Sequence, residues 1–201
     1  FNMHEGICAL SNLRRHIPVS CGQLSALYNE GAGQKVMLLH GNSSCKEVFT
    51  PVIQRLREHG YNVLAIDLPG HGESSDAIDP ESTYCFPGYA DVMVEALNHF
   101  GWERFITVGW SLGGHVALEL VARRPDCIGL MIIGSPPGKP SKDALEQAFF
   151  ASGSTLLAGK RDLSAEEAKL YVAHMLGAED EYFLQKALRT DGRAREMMFA
   201  S

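Results

Sequence analysis

The chain has 201 residues, of which 45% are hydrophobic and 21% charged, a composition that favours one soluble globular domain. Its formal net charge of -6 argues against a nucleic-acid or anionic-membrane partner, because such surfaces need clustered lysine and arginine. The five cysteines show no Cys-x-x-Cys spacing and their odd number cannot pair completely within the chain, so we expect reduced thiols. The sequence has neither a signal-peptide pattern nor an apolar run of about 18 residues. We therefore expect a cytoplasmic protein, and we favour a monomer.

Two short apolar runs near the N-terminus, Ile17–Val19 and Leu24–Tyr28, flank Cys21-Gly22 and predict an antiparallel hairpin. From residue 36 onward, continuous apolar segments alternate with helical ones. The predicted strands cover residues 36–39, 62–66, 105–108 and 128–133, and the predicted helices cover residues 47–59, 88–101 and 112–124. This order indicates an α/β fold in which a mostly parallel sheet, joined by right-handed crossovers, carries helices on both faces.

The last third of the chain shows only helical patterns. Helices are predicted at residues 142–151, 165–176, 180–188 and from 192 onward. Ser164 is the expected N-cap of the second of these helices, and Glu167 completes a capping box. The sequence therefore predicts an α/β core over residues 1–136 and a helical cap over residues 137–201.

The pentapeptide Gly109-Trp110-Ser111-Leu112-Gly113 lies between a predicted strand and a predicted helix. A serine at such a sharp turn is the pattern of a nucleophile elbow, whose glycines let the backbones meet and whose hydroxyl stands above the sheet edge. The helix that follows directs its N–H groups and dipole toward negative charge near Ser111. The pattern predicts Ser111 as a nucleophile.

A second segment, His40-Gly41-Asn42-Ser43-Ser44, follows the first predicted parallel strand. Residues that follow parallel strands meet at one edge of the sheet. Gly41 permits a turn that directs the N–H of Asn42 toward the space above Ser111. The N–H groups of Asn42 and Leu112 together would form an oxyanion hole. In this arrangement Gly41 is expected to contact the substrate. An ordinary Gly-Asn turn is the alternative, and the neighbouring elbow favours the oxyanion hole.

Three histidines near these segments are interpreted as structural. His71 lies in a turn, residues 67–74, that we expect to shape the pocket wall. His115 follows Ser111 by one helical turn and should point along the helix. His40 is expected to hydrogen-bond the loops in place.

Metal and phosphate chemistry are poorly supported by the sequence. The eight histidines include no pair at i,i+2 or i,i+4 spacing, so no strand or helix presents two of them together. No Gly-x-x-x-x-Gly-Lys-Ser/Thr motif is present. We expect no metal and no other cofactor.

Taken together, the segments at residues 40–41, 67–74 and 109–113 resemble the α/β-hydrolase superfamily. The resemblance covers residues 14–135 and implies the α/β-hydrolase fold with a helical cap. Haloalkane dehalogenases and most epoxide hydrolases of this superfamily carry aspartate at the elbow. Ser111 therefore indicates esters, thioesters, lactones, amides or carbon–carbon acyl bonds as substrates.

The sequence resembles still more closely the metal-independent, AidH-type N-acyl-homoserine lactonases of bacterial quorum quenching. The shared stretches are HGNSS at 40–44, DLPGHGES with DAIDP at 67–80, GWSLGGH at 109–115, GLMIIGSPP at 129–137 and RTDGRAR at 189–195. The last stretch lies in the predicted cap, where unrelated hydrolases diverge most.

This resemblance implies that Ser111 attacks the lactone carbonyl, that the N–H groups of Asn42 and Leu112 hold the charge, and that water then releases an N-acyl-homoserine. It also implies that a cap tyrosine, Tyr171, contacts the lactone. Packing of Tyr171 inside the cap is the alternative. Trp110, Met131 and apolar cap residues are the candidates for receiving the acyl chain.

The acid and the histidine of this superfamily follow the cap in the chain. His174, the only histidine after the helix of Ser111, lies on a predicted cap helix, and no strand-ending acid follows it. We expect both partners beyond residue 201, and little or no lactonase activity from the 201-residue chain alone. Turnover by that chain would indicate His71 or His174 as the base.

Other functions remain open at this point. Within enzymes, the alternatives are a broad carboxylesterase and a carbon–carbon bond hydrolase. A ligand-binding member of the fold without catalysis is a further alternative, although the complete elbow and both oxyanion segments argue against it.

Overall fold

The computed structural model describes residues 3–135 and 156–198. Within these ranges six strands form one sheet. The strands are β1 (Arg14–Val19), β2 (Gly22–Asn29), β3 (Lys35–Leu39), β4 (Asn62–Ile66), β5 (Phe105–Trp110) and β6 (Cys127–Ile133).

The helices of the same ranges surround this sheet or follow it in the chain. They are α1 (Met3–Ala9), α2 (Thr50–Glu58), α3 (Pro80–Thr83), α4 (Phe86–His99), α5 (Leu112–Arg123), α6 (Ala165–Leu176), α7 (Glu181–Arg189) and α8 (Gly192–Met198). Short 3-10 helices cover Ser11–Leu13, Lys46–Phe49 and Leu157–Gly159. No described helix is long and apolar enough to cross a membrane.

The sheet has the strand order β1-β2-β4-β3-β5-β6. β2 pairs antiparallel with β1 and β4, whereas the pairs β3/β4, β3/β5 and β5/β6 are parallel. The predicted hairpin and the predicted mostly parallel sheet are therefore confirmed. Leu39, the last residue of β3, is in register with Gly109 of β5. The loop that follows β3 consequently begins beside the predicted elbow.

The central strands bury both of their faces. Along β3, Met37 and Leu39 belong to a core cluster shared with Met93 of α4 and Val116 of α5. The alternate residues of β3, Val36 and Leu38, belong to a second cluster shared with Ile53 of α2. Burial on both faces explains why these strands are continuous apolar runs rather than alternating ones.

Several predicted boundaries are corrected by the structure. The helix predicted from residue 47 begins at Thr50, because Lys46–Phe49 form a 3-10 turn and Pro51 suits the first turn of a helix. The strand predicted at 105–108 continues to Trp110. The short helices α1 and α3 were not predicted. The predicted helix at 142–151 and the boundary between residues 136 and 137 lie outside the described residues and remain predictions.

Two cap helices rest on the loop that follows β3. As predicted, α6 starts with a capping box, in which Ser164 Oγ accepts from the N–H of Glu167 (3.2 Å) and Glu167 Oε2 accepts from the N–H of Ser164 (2.9 Å). Val172 of α6 and Phe183 of α7 are buried against Cys45 of the loop. The cap therefore contacts the segment predicted to form the oxyanion hole.

The edge strand β6 departs from the predicted burial on both faces. Its apolar side chains are exposed by fractions that range from 40% at Leu130 to 55% at Met131. β5 is its only strand neighbour within the described ranges, so its outer edge has no partner there.

Candidate active site

Ser111 lies at the turn between β5 and α5 in a backbone conformation that is rare for residues other than glycine. Its φ is 53° and its ψ is -116°. Such a conformation costs about 1–3 kcal/mol and persists where the surrounding structure holds it. Here the N–H of Ser111 donates to the carbonyl of Ile133 (2.8 Å), and Ser135 Oγ donates to the carbonyl of Ser111 (2.7 Å). The turn has the strained geometry that exposes a serine hydroxyl above a sheet.

Glycines make this turn possible because backbones meet there. A Cβ at Gly109 would collide with the carbonyl of Gly113, and a Cβ at Gly113 would collide with the carbonyl of Leu39. On the opposite side, a Cβ at Gly41 would lie 3.0 Å from the ring of half-buried Trp110 and 3.3 Å from Cβ of Ser111. The loop after β3 therefore lies directly against the elbow, as the sequence predicted.

The peptide between Gly41 and Asn42 is held by its carbonyl group. The carbonyl oxygen of Gly41 accepts from Nδ1 of His40 (2.7 Å) and from the N–H of Ser44 (3.2 Å). Because a trans peptide places its N–H opposite its carbonyl, these contacts fix the direction of the Asn42 N–H. Within the described ranges, neither this N–H nor that of Leu112 donates to another residue. Where Gly41 contacts the elbow, each side therefore contributes one unpaired N–H, that of Asn42 and that of Leu112.

His40 is a structural donor whose tautomer is set by its contacts. Its Nε2 accepts from the N–H of Leu68 (3.0 Å), so Nδ1 carries the proton given to Gly41. Burial lowers the pKa of His40, outweighing the nearby Asp67 carboxylate, and favours this neutral form. The expectation that His40 hydrogen-bonds the loops in place agrees with these contacts.

His71 is a second buried histidine with a structural contact. Its Nδ1 lies 3.0 Å from the carbonyl of Pro69, and its Nε2 is buried without a partner in the described part of the chain. The rings of His71 and His40 have centroids 5.3 Å apart. Burial, and then the charge of a protonated His40, lower the pKa of His71 to about 3.

We expect the protein to lose stability on acidification below about pH 6.5. In the unfolded chain histidines take up protons near that pH, whereas folded His71 stays neutral until about pH 3, so the loss accumulates between these values. Denaturant unfolding at pH 8, 6 and 5 measures it. His71→Asn should reduce the slope of the unfolding free energy against pH, while His59→Asn, at an exposed position, should leave that slope unchanged. An unchanged slope in His71→Asn would contradict this assignment.

No described histidine ring hydrogen-bonds to the Ser111 hydroxyl, although the N–H of His115 donates to the Ser111 carbonyl (3.3 Å). The ring of His115 stacks on Phe86 of the neighbouring helix α4, with ring centroids 4.7 Å apart and planes 8° apart. His174 is exposed on α6. The general base for Ser111 is therefore unassigned within residues 3–135 and 156–198.

A buried charge cluster lies in the loop after β3 and centres on Lys46. Its Nζ is 2.7 Å from Oδ2 of Asp67, 2.9 Å from Oε1 of Glu47 and 3.2 Å from Oε2 of Glu73. Asp67 also accepts from the backbone N–H groups of Lys46 (2.7 Å) and Glu73 (2.9 Å). Although burial alone would raise the pKa of Asp67, the Lys46 ammonium and these hydrogen bonds hold it below its ordinary value. Sequence reasoning missed this cluster, because a lysine in a polar loop gives no sign of burial.

Part of the same cluster has donor atoms that could surround a cation. Cys45, Glu47 and Asp67 each bring one ligand atom, all within 4.8 Å of one another. The ammonium of Lys46 already contacts both carboxylates, so it supplies the positive charge that a bound cation would bring. The arrangement fits a structural ion cluster better than a metal centre.

The cap motif at residues 189–195 joins the cap to the turn after β4. The N–H of Asp191 donates to the carbonyl of Gly70 (2.8 Å), and Tyr84 Oη donates to Oδ2 of Asp191 (2.7 Å). Arg189 donates to the same Gly70 carbonyl (3.3 Å). The sequence singled out this motif, but nothing local identified Tyr84 as its partner, which is 107 positions away.

Tyr171 of α6 meets the loop after β3. Its hydroxyl donates to the carbonyl of Asn42 (3.2 Å), and Nδ2 of Asn42 donates to the carbonyl of Ala158 (2.8 Å). Burial raises the pKa of Tyr171 to about 12, so the hydroxyl stays protonated as a donor. Cap and core are therefore joined at the residue predicted to supply an oxyanion donor.

Comparison with known protein families agrees with this geometry. A family model described as the alpha/beta hydrolase fold matches residues 35–178, a range that includes the loop after β3, the elbow and part of the cap. The chain belongs to this family. The resemblance to α/β-hydrolases inferred from the motifs is confirmed.

Curated relatives of this α/β-hydrolase include esterases. The pimeloyl-[acyl-carrier protein] methyl ester esterase of Xanthomonas campestris pv. campestris (strain B100) is 36% identical over 124 residues, which are 60% of this chain and 46% of the relative. The esterase Rv0045c of Mycobacterium tuberculosis (strain ATCC 25618 / H37Rv) is 31% identical over 153 residues, 76% of this chain and 50% of the relative. The chain thus spans about half the length of these two relatives.

Among solved structures, a mutant of the N-acyl homoserine lactonase AidH in complex with N-hexanoyl homoserine lactone is 37% identical and superimposes with a TM-score of 0.88. The match covers 93% of this chain and 69% of the lactonase. The epoxide hydrolase CorEH superimposes with a TM-score of 0.74 at 20% identity, over 93% of this chain and 72% of that one, which shows the fold alone. The lactonase match confirms the AidH-type resemblance.

Proposed function

We propose that this α/β-hydrolase opens the ring of N-acyl-homoserine lactones, with Ser111 as its nucleophile. The observation that carries the proposal is the 37% identity to a lactonase over 93% of the chain. That match extends into the cap, the part of the fold that covers the elbow and so bears on substrate choice. The strained turn at Ser111 and the two unpaired N–H groups beside it support acyl transfer as the chemistry.

In the proposed reaction, Ser111 Oγ gives its proton to a general base and forms a bond to the lactone carbonyl carbon, and the negative charge moves to the carbonyl oxygen. The N–H groups of Asn42 and Leu112 would donate to that oxygen, and Leu112 adds the positive end of the α5 dipole. Collapse then breaks the ring C–O bond, the protonated base gives its proton to the ring oxygen, and an acyl-enzyme remains whose alcohol stays attached through the acyl group. Attack by water releases the N-acyl-homoserine and restores the serine.

Three further residues are proposed to contact the substrate. Gly41 lies between the Trp110 ring and Ser111, so a carbonyl bound there would pass over its backbone. Tyr171 reaches the same loop from the cap. Trp110 is half-buried and offers an apolar surface for the acyl chain, whereas Met131 is 55% exposed at the sheet edge.

The complete protein, incubated with N-acyl-homoserine lactones below pH 7 to limit spontaneous opening, is expected to add one water to the lactone. Mass spectrometry of the product measures this gain, with heat-inactivated protein as the blank. Aryl esters in parallel reactions test the wider activity. If only the esters react, the lactonase proposal is wrong.

A carboxylesterase is the second candidate, and the 36% identity to a methyl ester esterase favours it. It predicts turnover of simple esters with lactones left intact. Saturable lactone binding without opening of lactones or esters would instead indicate a ligand-binding member of the family, because it requires the pocket but not the nucleophile.

A further inference from the structure

Arg195 of the cap helix α8 is a buried cation, with an exposed fraction of only 3%. Its guanidinium donates to the carbonyls of Lys160 (2.8 Å), Arg161 (2.6 Å) and Ala187 (3.1 Å), and to Oγ of Ser43 (3.4 Å). No carboxylate of the described residues lies within ion-pair distance of it. Burying a guanidinium without an opposing charge is unfavourable, so these four hydrogen bonds hold it in place.

Ser43 is the residue through which Arg195 reaches the core. It is fully buried and has a φ of 56°, a left-handed conformation that serine rarely adopts. Its hydroxyl accepts from Arg195 and donates to Oδ1 of Asn42 (3.2 Å), whose Nδ2 donates in turn to Ala158. This chain of contacts runs from the cap to the residue whose N–H is the proposed oxyanion donor.

The loop is therefore held from two sides. On the core side, His40 fixes the peptide between Gly41 and Asn42 through the carbonyl of Gly41. On the cap side, Tyr171 bonds the carbonyl of the next peptide, between Asn42 and Ser43. These peptides share the Cα of Asn42, so a cap contact that moves this Cα displaces both of them. The direction of the Asn42 N–H thus depends on the cap contacts as well as on His40.

We propose that Arg195 is a positioning residue of the oxyanion hole. From the cap it holds Ser43, and through Ser43 it keeps the N–H of Asn42 directed at the charge that develops above Ser111. The inference rests on the proposed function, since it requires Ser111 to attack a carbonyl. If the inference is correct, kcat for acyl transfer depends on the position of α8. A cap that only covers the pocket would affect substrate binding alone.

The test compares Arg195→Gln with Arg161→Gln in the complete protein. Arg161 is a matched control, because it is a cap arginine whose side chain is 55% exposed and pairs with Glu196 at the surface (3.3 Å). With an aryl ester as substrate, Arg195→Gln should lower kcat about tenfold or more and change KM less than about threefold, since a displaced oxyanion donor weakens binding of the transition state. Arg161→Gln should stay within about twofold of the wild type.

A double-variant cycle asks whether Arg195 acts through Ser43. Ser43→Ala should also lower kcat, and the double variant should lose about as much as Arg195→Gln alone. If the fold-losses in kcat of the two single variants multiply in the double variant, Arg195 does not act through Ser43. If Arg195→Gln does not fold, Ser43→Ala decides the question by itself, because the hydroxyl is the connecting group.

Hydrogen exchange of peptides covering residues 40–45 separates this inference from the proposed function. Exchange should be faster in Arg195→Gln than in the wild type or Arg161→Gln. If the wild type opens neither lactones nor esters, the proposed function fails and the oxyanion role fails with it, while exchange still reports whether Arg195 holds the loop. If the wild type is active and Arg195→Gln retains its kcat or its loop protection, the inference alone is overturned.

Discussion

Ser111→Ala in the complete protein is expected to abolish lactone opening, with a loss of kcat on the order of 10⁴-fold or more. Removing the hydroxyl removes the atom that forms the acyl-enzyme, so the two N–H donors would have no covalent step to assist. Initial rates with an N-acyl-homoserine lactone and an aryl ester measure the loss. Retained turnover of the lactone would exclude Ser111 as the nucleophile.

Ser111→Gly controls for misfolding, because it removes the same hydroxyl at a backbone conformation that glycine tolerates. With φ at 53°, glycine relieves strain in the folded turn, and this gain offsets the flexibility it adds to the unfolded chain. We expect an inactive protein whose free energy of unfolding stays within about 1 kcal/mol of the wild-type value. A large drop in stability would mean that the lost activity reports on folding instead.

Lys46→Met is expected to reduce the free energy of unfolding by about 3–5 kcal/mol, because it leaves buried carboxylates without their counterion. Lys46 and Asp67 are fully buried and Glu47 nearly so. Denaturant unfolding at pH 7 measures the loss. Adding Asp67→Asn to Lys46→Met should recover part of it, since the unpaired charge is then removed.

Arg14→Met is the matched control for this experiment. Arg14 contacts two of the same carboxylates, Glu73 at 3.2 Å and Glu47 at 3.9 Å, but its side chain is 38% exposed, so we expect a loss of about 1 kcal/mol or less. If Lys46→Met and Arg14→Met lose similar amounts of unfolding free energy, burial does not strengthen the contacts of Lys46.

The pH dependence of Lys46→Met gives a second check. Asp67 has a lowered pKa in the wild type, so its contribution to stability exists above its unfolded pKa and is lost as the pH falls through the folded value. Without the Lys46 ammonium, only the weaker lowering contacts, such as the backbone N–H of Glu73, still oppose burial, so the pKa of Asp67 rises. The difference between variant and wild type should therefore shrink as the pH is lowered toward 4. A constant difference would contradict the role of Asp67.

Features of the site that depend on neighbouring residues were predicted well from the sequence. The elbow needs glycines within two positions of Ser111, and the capping box of α6 joins Ser164 to Glu167, three positions apart. The parallel strand pattern predicted that the loop after β3 meets the elbow, and the observed register of Leu39 with Gly109 brings Gly41 there. The sequence predicted the start of α2 at Glu47 rather than Thr50, although Pro51 is typical of the first turn of a helix.

Contacts between distant residues could not be predicted in the same way. The sequence placed Tyr171 near the lactone by resemblance, but gave no sign that its hydroxyl bonds the carbonyl of Asn42, 129 positions away. Arg195 is the last residue of a sequence motif, but the motif does not indicate its contact with Ser43, which spans 152 positions. The predicted burial of β6 was wrong for the described residues, because burial depends on which elements cover a strand.

The sequence by itself determined the α/β architecture, the strained serine turn and the glycine that lies against it, since strand periodicity, turn sterics and helix capping act over a few residues. Only the tertiary structure decided that Lys46 lies in a buried ion cluster, that His40 bonds Leu68 in particular, and that cap residues bond the loop of Asn42. Those properties arise from desolvation and hydrogen bonding between elements far apart in the chain, which no local pattern records.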